Sequence, residues 1–219
     1  MNKKVCAAAA LIADLAIIVF TIHAISGFFV GTGDQFMNVA GFVCFRYFTI
    51  DSNVLAAIAC CAAIPSKIRA LMGRPAALSR PLLLLKHAGT AAVTVTLLTV
   101  LFFLGPTMGY GAMFVGPSFW LHGVNPVLAI LVFVLADGNG LLRLRDWPIG
   151  ALPVAVYACF YVPLAVFTHV WPDFYGFNVG GLWYVSAPVM LAAANLISLG
   201  LYAAQRLVVR RAGSAAEAR

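Results

Sequence analysis

The sequence predicts an all-α polytopic membrane protein with six transmembrane helices and both termini in the cytoplasm. Three observations predict it. The chain is 63% hydrophobic and 10% charged, where soluble domains carry about 25% charged residues. Its apolar residues gather into six runs of about 20 residues or more, the length that crosses a ~30 Å hydrocarbon core as a helix. Of its 14 Lys and Arg residues, all but Arg46 fall at the ends of those runs or between them, on one side.

The runs cover residues 5–28, 39–64, 82–104, 118–136, 149–170 and 182–206. They form one transmembrane domain, 1–211, followed by a short polar cytoplasmic tail, 212–219. Met1-Asn2-Lys3-Lys4 resembles the start of a signal peptide. The apolar run behind it outlasts a 7–15-residue signal core and has no small-x-small cleavage site near Phe20, so it is read as a retained first span. Runs of about ten alternating residues, the mark of a transmembrane barrel, do not occur.

Orientation follows from the basic residues. Lys3 and Lys4 precede the first run. Lys67, Arg69, Arg74, Arg80 and Lys86 surround the connection between runs two and three. Arg143 and Arg145 separate runs four and five, and Arg206, Arg210, Arg211 and Arg219 end the chain. The opposite connections, 31–38, 105–117 and 171–181, hold no Lys or Arg. Positive-inside loops thus account for the net charge of +7 without a nucleic-acid partner. The compact, Ala-rich chain with short loops points to a bacterial cytoplasmic membrane. The five cysteines all fall within runs, with no CxxC spacing, and read as small packing residues.

Arg46 is the exception, and it stands among Thr49, Asp51, Ser52 and Asn53. An ionisable residue in a spanning segment costs roughly 2.5–3.5 kcal/mol on insertion scales and usually marks function. Counting about 20 residues back from Pro65-Ser66-Lys67 places Arg46 at the outer boundary of span two and Thr49 about one turn below it. The same count in span four places His122 at a similar depth, and His23 in span one is comparable. Positions 46, 49, 50 and 53 share one helical face, so Arg46, Thr49 and Asn53 are expected to point together. Asp51 points away from Arg46. His122 precedes Gly123 and Pro126, which thin the helix and free a backbone carbonyl. Thr90, Thr94, Thr96 and Thr99 in span three are expected only to bond carbonyls of the preceding turn.

The segment Phe45-Arg46-Tyr47-Phe48-Thr49-Ile50-Asp51-Ser52-Asn53 resembles the [FY]-[FL]-T-x-x-[SD]-[NL] signature of the androgen-induced/FAR-like family of six-span membrane proteins. Trp120-Leu121-His122-Gly123-Val124-Asn125-Pro126 looks like that family's second signature, a His followed closely by a Pro on span four. Tyr157, Tyr161 and Trp171-Pro172-Asp173-Phe174 match its pattern loosely. The resemblance implies an intramembrane threonine hydrolase acting on fatty-acid esters of hydroxy fatty acids, in a prokaryotic member. It implies Thr49 as nucleophile and His122 as base, with no cofactor. Asp137 falls later on span four than the family's acid, so no role is transferred to it.

The chemistry asked of these residues is coherent. A threonine hydroxyl needs a base within hydrogen-bond reach, and imidazole supplies one near neutral pH. Arg46, Asp51, Ser52, Asn53, Asn125, Tyr161 and His23 are the candidate supporting or substrate-binding residues. Asn53, Ser52 or the span-four backbone are the candidate oxyanion donors, and Arg46 is placed to hold a substrate carboxylate. The expected partners are a lipid substrate with acyl chains and the surrounding membrane lipids. Two other classes compete. A metal-dependent hydrolase would draw on His23, His122, His169 and Asp51, though no HxxxH or HExxH spacing supports it. A lipid-binding or transport protein would use the same polar layer without turnover.

Overall fold

The computed structural model describes residues 3–31, 39–74 and 77–217. Among the described residues it is all-helical, with six helices long and apolar enough to cross a membrane. These are α1 (Lys3–Val30), α2 (Phe48–Leu71), α3 (Arg80–Met108), α4 (Pro117–Leu135), α5 (Leu144–Phe167) and α6 (Trp183–Glu217). Their outward faces carry exposed Ile12, Val19, Ile22, Phe102, Val189 and Leu196, as an integral membrane protein requires where lipid replaces water.

Helix α3 is the centre of the bundle. Its residues Lys86 through Thr96 are all buried, so it is surrounded on every side, by α2, α4, the start of α5 and α6. Small side chains permit this. A Cβ on Gly89 would lie 3.0 Å from the Ala56 Cα, so the α2–α3 backbones meet at a distance only glycine allows. Helix α1 packs against α2 and α4, where Phe20 stacks on Trp120 with ring centroids 4.2 Å apart.

Charge decides where two of the spans lie. Lys67 on α2 and Lys86 on α3 are buried, and each reaches the same two carboxylates. Lys67 Nζ lies 2.6 Å from Asp14 and 3.1 Å from Asp137; Lys86 Nζ lies 2.9 Å and 3.3 Å from the same pair. Two ammonium and two carboxylate groups cancel, which is the condition for keeping charges out of water. From sequence alone, Lys67 falls just past the end of span two and Lys86 near the start of span three. Because both are neutralised, α2 runs on through Pro65 and Lys67 to Leu71, and α3 begins at Arg80 ahead of Lys86.

The other end of α2 moves correspondingly. The expected span over 39–64 is divided: Gly41, at φ +60°, opens a 3₁₀ turn over Gly41–Arg46, and extended Tyr47 separates that turn from α2. Arg46 therefore precedes the helix and shares no helical face with Thr49 and Asn53. Helix α6 continues through residues 212–217.

Two helices carry the same local device. The π turn Val100–Leu104 in α3 is followed by Pro106, and the π turn Trp120–Val124 in α4 is followed by Pro126. In the wider i→i+5 ladder, Gly105 N–H bonds Val100 O, and Asn125 N–H bonds Trp120 O. The next N–H in each ladder would belong to proline, which has none. One carbonyl per helix is thereby orphaned. Tyr110 donates its hydroxyl to Leu101 O at 2.8 Å, and Asn53 donates its amide to Leu121 O at 3.1 Å.

Removing one member of the charge quartet strands the others in a dry interior. Asp14→Ala is expected to lower stability by about 3–5 kcal/mol, whereas the paired change Asp14→Leu with Lys86→Leu is expected to be milder. Thermal unfolding of the purified chain in detergent would check the ranking, which the reverse order would refute.

Candidate active site

Thr49 sits in the first turn of α2 and His122 within the π turn of α4. Both are buried, at 5% and 2% exposure. Their reactive atoms meet, with Thr49 Oγ1 lying 3.4 Å from His122 Nε2, a long contact of the kind that tightens only with substrate in place. The other imidazole nitrogen settles the tautomer. His122 Nδ1 lies 2.6 Å from the Met113 carbonyl, and a carbonyl only accepts, so Nδ1 carries the proton. In the neutral ring Nε2 then presents its lone pair to the threonine hydroxyl, as a general base must.

Asn53 holds this pair in register. One turn below Thr49, its amide donates to Thr49 O at 2.8 Å and to the orphaned Leu121 O at 3.1 Å, beside His122. Its own carbonyl accepts from Asn125 at 2.9 Å, and Asn125 also donates to the Thr21 hydroxyl on α1 at 3.0 Å. Asn53 and Asn125 are both fully buried. The chain of bonds thus crosses α1, α2 and α4, and the π turn is what turns Leu121 O toward Asn53. Ser52 faces α3, sharing a hydrogen bond with Thr96 at 2.9 Å and donating toward Thr49 O at 3.1 Å.

Thr49 also opens onto a cavity. It is a narrow apolar cleft of about 50 Å³ among α2, α3, α5 and α6. Phe48, Val100, Val154, Tyr157, Tyr175 and Met190 form much of its wall, with Thr96 and Thr99 beside Thr49. Tyr175 and Phe177 come from the connection between α5 and α6, which folds over the cleft. Asp173 anchors that connection, accepting from the Tyr161 hydroxyl at 2.8 Å, Phe177 N–H at 2.9 Å and Asn178 N–H at 2.7 Å.

The expected supporting residues separate into those the fold gathers and those it does not. Ser52, Asn53 and Asn125 join the hydrogen-bonded cluster, and Tyr161 lines the cleft while fixing Asp173. Arg46 contributes its backbone: its carbonyl accepts from Tyr157 at 2.5 Å, and its side chain is half-buried. Asp51 lies on another flank of α2, in a groove with Leu55, Leu85, Pro153 and Trp171. His23 is exposed on α1 and is not brought to the cluster; Thr21, two residues earlier, is the α1 residue that is. His169 is exposed as well. Among the described residues no three His, Cys, Asp or Glu side chains converge as ligands, so the donors named for a metal site are dispersed.

Sequence reasoning did not find Met113, Thr21, Thr96 or Tyr175. Met113 acts through its carbonyl and carries no side-chain signal. Thr96 bonds Ala92 O at 3.4 Å, as expected of a membrane threonine, and bonds Ser52 besides. Tyr175 directly follows the Trp171–Phe174 segment, and nothing in its spacing announces that its hydroxyl reaches α2. Comparison with family models, curated proteins and solved structures finds no match to this chain.

Asn53→Ala orphans Leu121 O and an Asn125 amide hydrogen together. The expected loss is about 1–3 kcal/mol for each unsatisfied group, read as a lowered unfolding midpoint in detergent, while exposed Ser26→Ala should leave the midpoint unchanged. Equal midpoints for the two variants would refute the role given to Asn53.

Proposed function

We propose that this protein is an intramembrane threonine hydrolase that cleaves lipid carboxylic esters, fatty-acid esters of hydroxy fatty acids or close analogues. The observation that carries the reading is the ordered contact from Thr49 Oγ1 to His122 Nε2, with Nδ1 held by Met113 O. A hydroxyl, a base and a group fixing the base's tautomer are the parts of an activated nucleophile. They stand beside an apolar cleft that suits an acyl chain. The likeness of the Thr49 and His122 segments to the androgen-induced/FAR-like signatures supports the same roles.

The reaction proceeds in two halves. Thr49 Oγ attacks the ester carbonyl carbon while its proton passes to His122 Nε2. The tetrahedral intermediate collapses, the bond to the leaving alkoxide breaks, and His122 returns the proton to that oxygen as the alcohol leaves. Water then enters, gives a proton to Nε2 and attacks the acyl-threonine. Collapse of the second intermediate releases the carboxylic acid, and His122 reprotonates Thr49. Arg46, just ahead of Thr49 in the chain, is assigned the carboxylate of a charged substrate.

In the proposed topology both termini are cytoplasmic, in a bacterial inner membrane. Even with Lys67 and Lys86 paired internally, the other basic residues outside Arg46 gather at the ends of the spans nearest the termini. Thr49 and His122 then lie toward the outer leaflet.

Thr49→Ala and His122→Ala are each expected to lower ester turnover by a factor of about 10³ or more, and to abolish labelling by a fluorophosphonate probe. Thr49→Ser is expected to keep a measurable rate. Labelling that survives Thr49→Ala would refute the nucleophile. Lipid retained by the purified chain with no turnover in any assay would instead favour a lipid-binding protein. For topology, a cysteine placed in the 31–38 connection should react with a membrane-impermeant maleimide from outside intact cells, and one placed in the tail should not.

A further inference from the structure

Acyl transfer needs a donor for the oxygen that becomes negative, and the side-chain donors expected from sequence are already committed. Both amide hydrogens of Asn53 are spent on Thr49 O and Leu121 O. The Asn125 amide serves Thr21 and Asn53. Ser52 is engaged by Thr96 and Thr49 O. At the start of α2, Ile50 and Asp51 N–H both bond Tyr47 O, and Phe48 N–H is used as well.

What uses Phe48 N–H is the Tyr175 hydroxyl, which accepts from it at 3.0 Å. Tyr175 shares the wall of the cleft with Thr49 and Tyr157, its ring centroid 6.4 Å from that of Tyr157. Its proton is the uncommitted one. Tyr157 has given its own proton to Arg46 O, and in the proposed reaction Thr49 gives its proton to His122. Among the described residues the hydrogen bonds show the Tyr175 hydroxyl only as an acceptor, and it lines the cleft next to Thr49.

We infer that the Tyr175 hydroxyl is the oxyanion donor, turning its hydrogen to the ester carbonyl oxygen as Thr49 attacks; this builds on the assignment of Thr49 as nucleophile. Two features suit the role. Backbone N–H groups at a helix N-terminus draw charge from the phenolic oxygen and make its O–H a stronger donor. Withdrawal from water also raises the phenol above its ordinary pKa, so it keeps its proton at neutral pH. The ring is preorganised, since Tyr175 N–H donates to the Tyr161 hydroxyl at 3.2 Å, which in turn is tied to Asp173. Phe174 and Tyr161 pack on it at ring-centroid distances of 4.5 Å and 5.5 Å.

The test uses the full-length chain in detergent with p-nitrophenyl decanoate. Tyr175→Phe keeps the ring packing and removes the donor. It is expected to lower kcat about 10²–10³-fold with KM within about twofold, as for an interaction made only in the transition state. A kcat within threefold of native, where Thr49→Ala is inactive, would overturn the role of Tyr175 and leave the threonine mechanism standing. Absence of any Thr49-dependent turnover in the native chain would overturn both. The hydroxyl also accepts from α2, so a second arm separates the two duties by sign. Fluorotyrosine at position 175 is a stronger donor and a weaker acceptor, and kcat should hold or rise with the acidity of the phenol. A kcat that falls with increasing acidity would assign the hydroxyl to holding α2 and overturn the inference.

Discussion

Four charges shared among four segments fix the frame on which the site is built. Asp14, Lys67, Lys86 and Asp137 come from α1, α2, α3 and the end of α4. Each ion touches two of opposite sign, so no helix can slide by a turn without stranding a charge in a dry interior. Coulomb attraction at these separations is strong because water is absent. The same absence makes the arrangement obligatory. Association between membrane helices gains little from burying apolar surface, since lipid is as apolar as leucine, and polar contacts supply the register that packing alone leaves loose.

Register at one end becomes geometry at the other. With α1, α2 and α4 pinned near Asp14, Lys67 and Asp137, the far ends of the same helices bring Thr21, Asn53 and Asn125 into one chain of hydrogen bonds. That chain ends on Leu121 O, a carbonyl released by the π turn and by Pro126. The Thr49–His122 pair sits beside it. Thr49 presents its carbonyl to Asn53 and its hydroxyl to His122, so one side chain of α2 and one bulge of α4 are positioned by a single asparagine. Local strain and global register meet at this point, which is where a reactive group has to be held to a few tenths of an ångström.

Much of this was legible in the sequence. The six apolar runs gave the spans to within a few residues for α1, α3 and α4, and the start of α6. The pairing of Thr49 with His122 was legible as equal depth, and Asn53 as the same face of α2. The missed features share one cause. Lys67 and Lys86 look like loop residues until Asp14 and Asp137 are placed beside them, because a lysine reads as a span boundary unless its counter-ion is known. Arg46 left the helix because Gly41 and Tyr47 break it, a backbone choice that a hydropathy count does not register. His23 matched the site in depth but not in azimuth, and depth alone does not say which way a helix faces.

The sequence by itself determined the class and the number of spans, because hydrophobic length is a local property, and the resemblance of two short motifs supplied the candidate nucleophile and base. Tertiary structure decided which nitrogen of His122 faces Thr49, which carbonyl fixes it, where the cleft opens and which hydroxyl caps the start of α2. Those are relations between residues far apart in the chain, such as Met113 with His122 and Tyr175 with Phe48. A hydrogen bond has direction and a single proton, so its partners are settled only when every competing donor and acceptor has been placed in space.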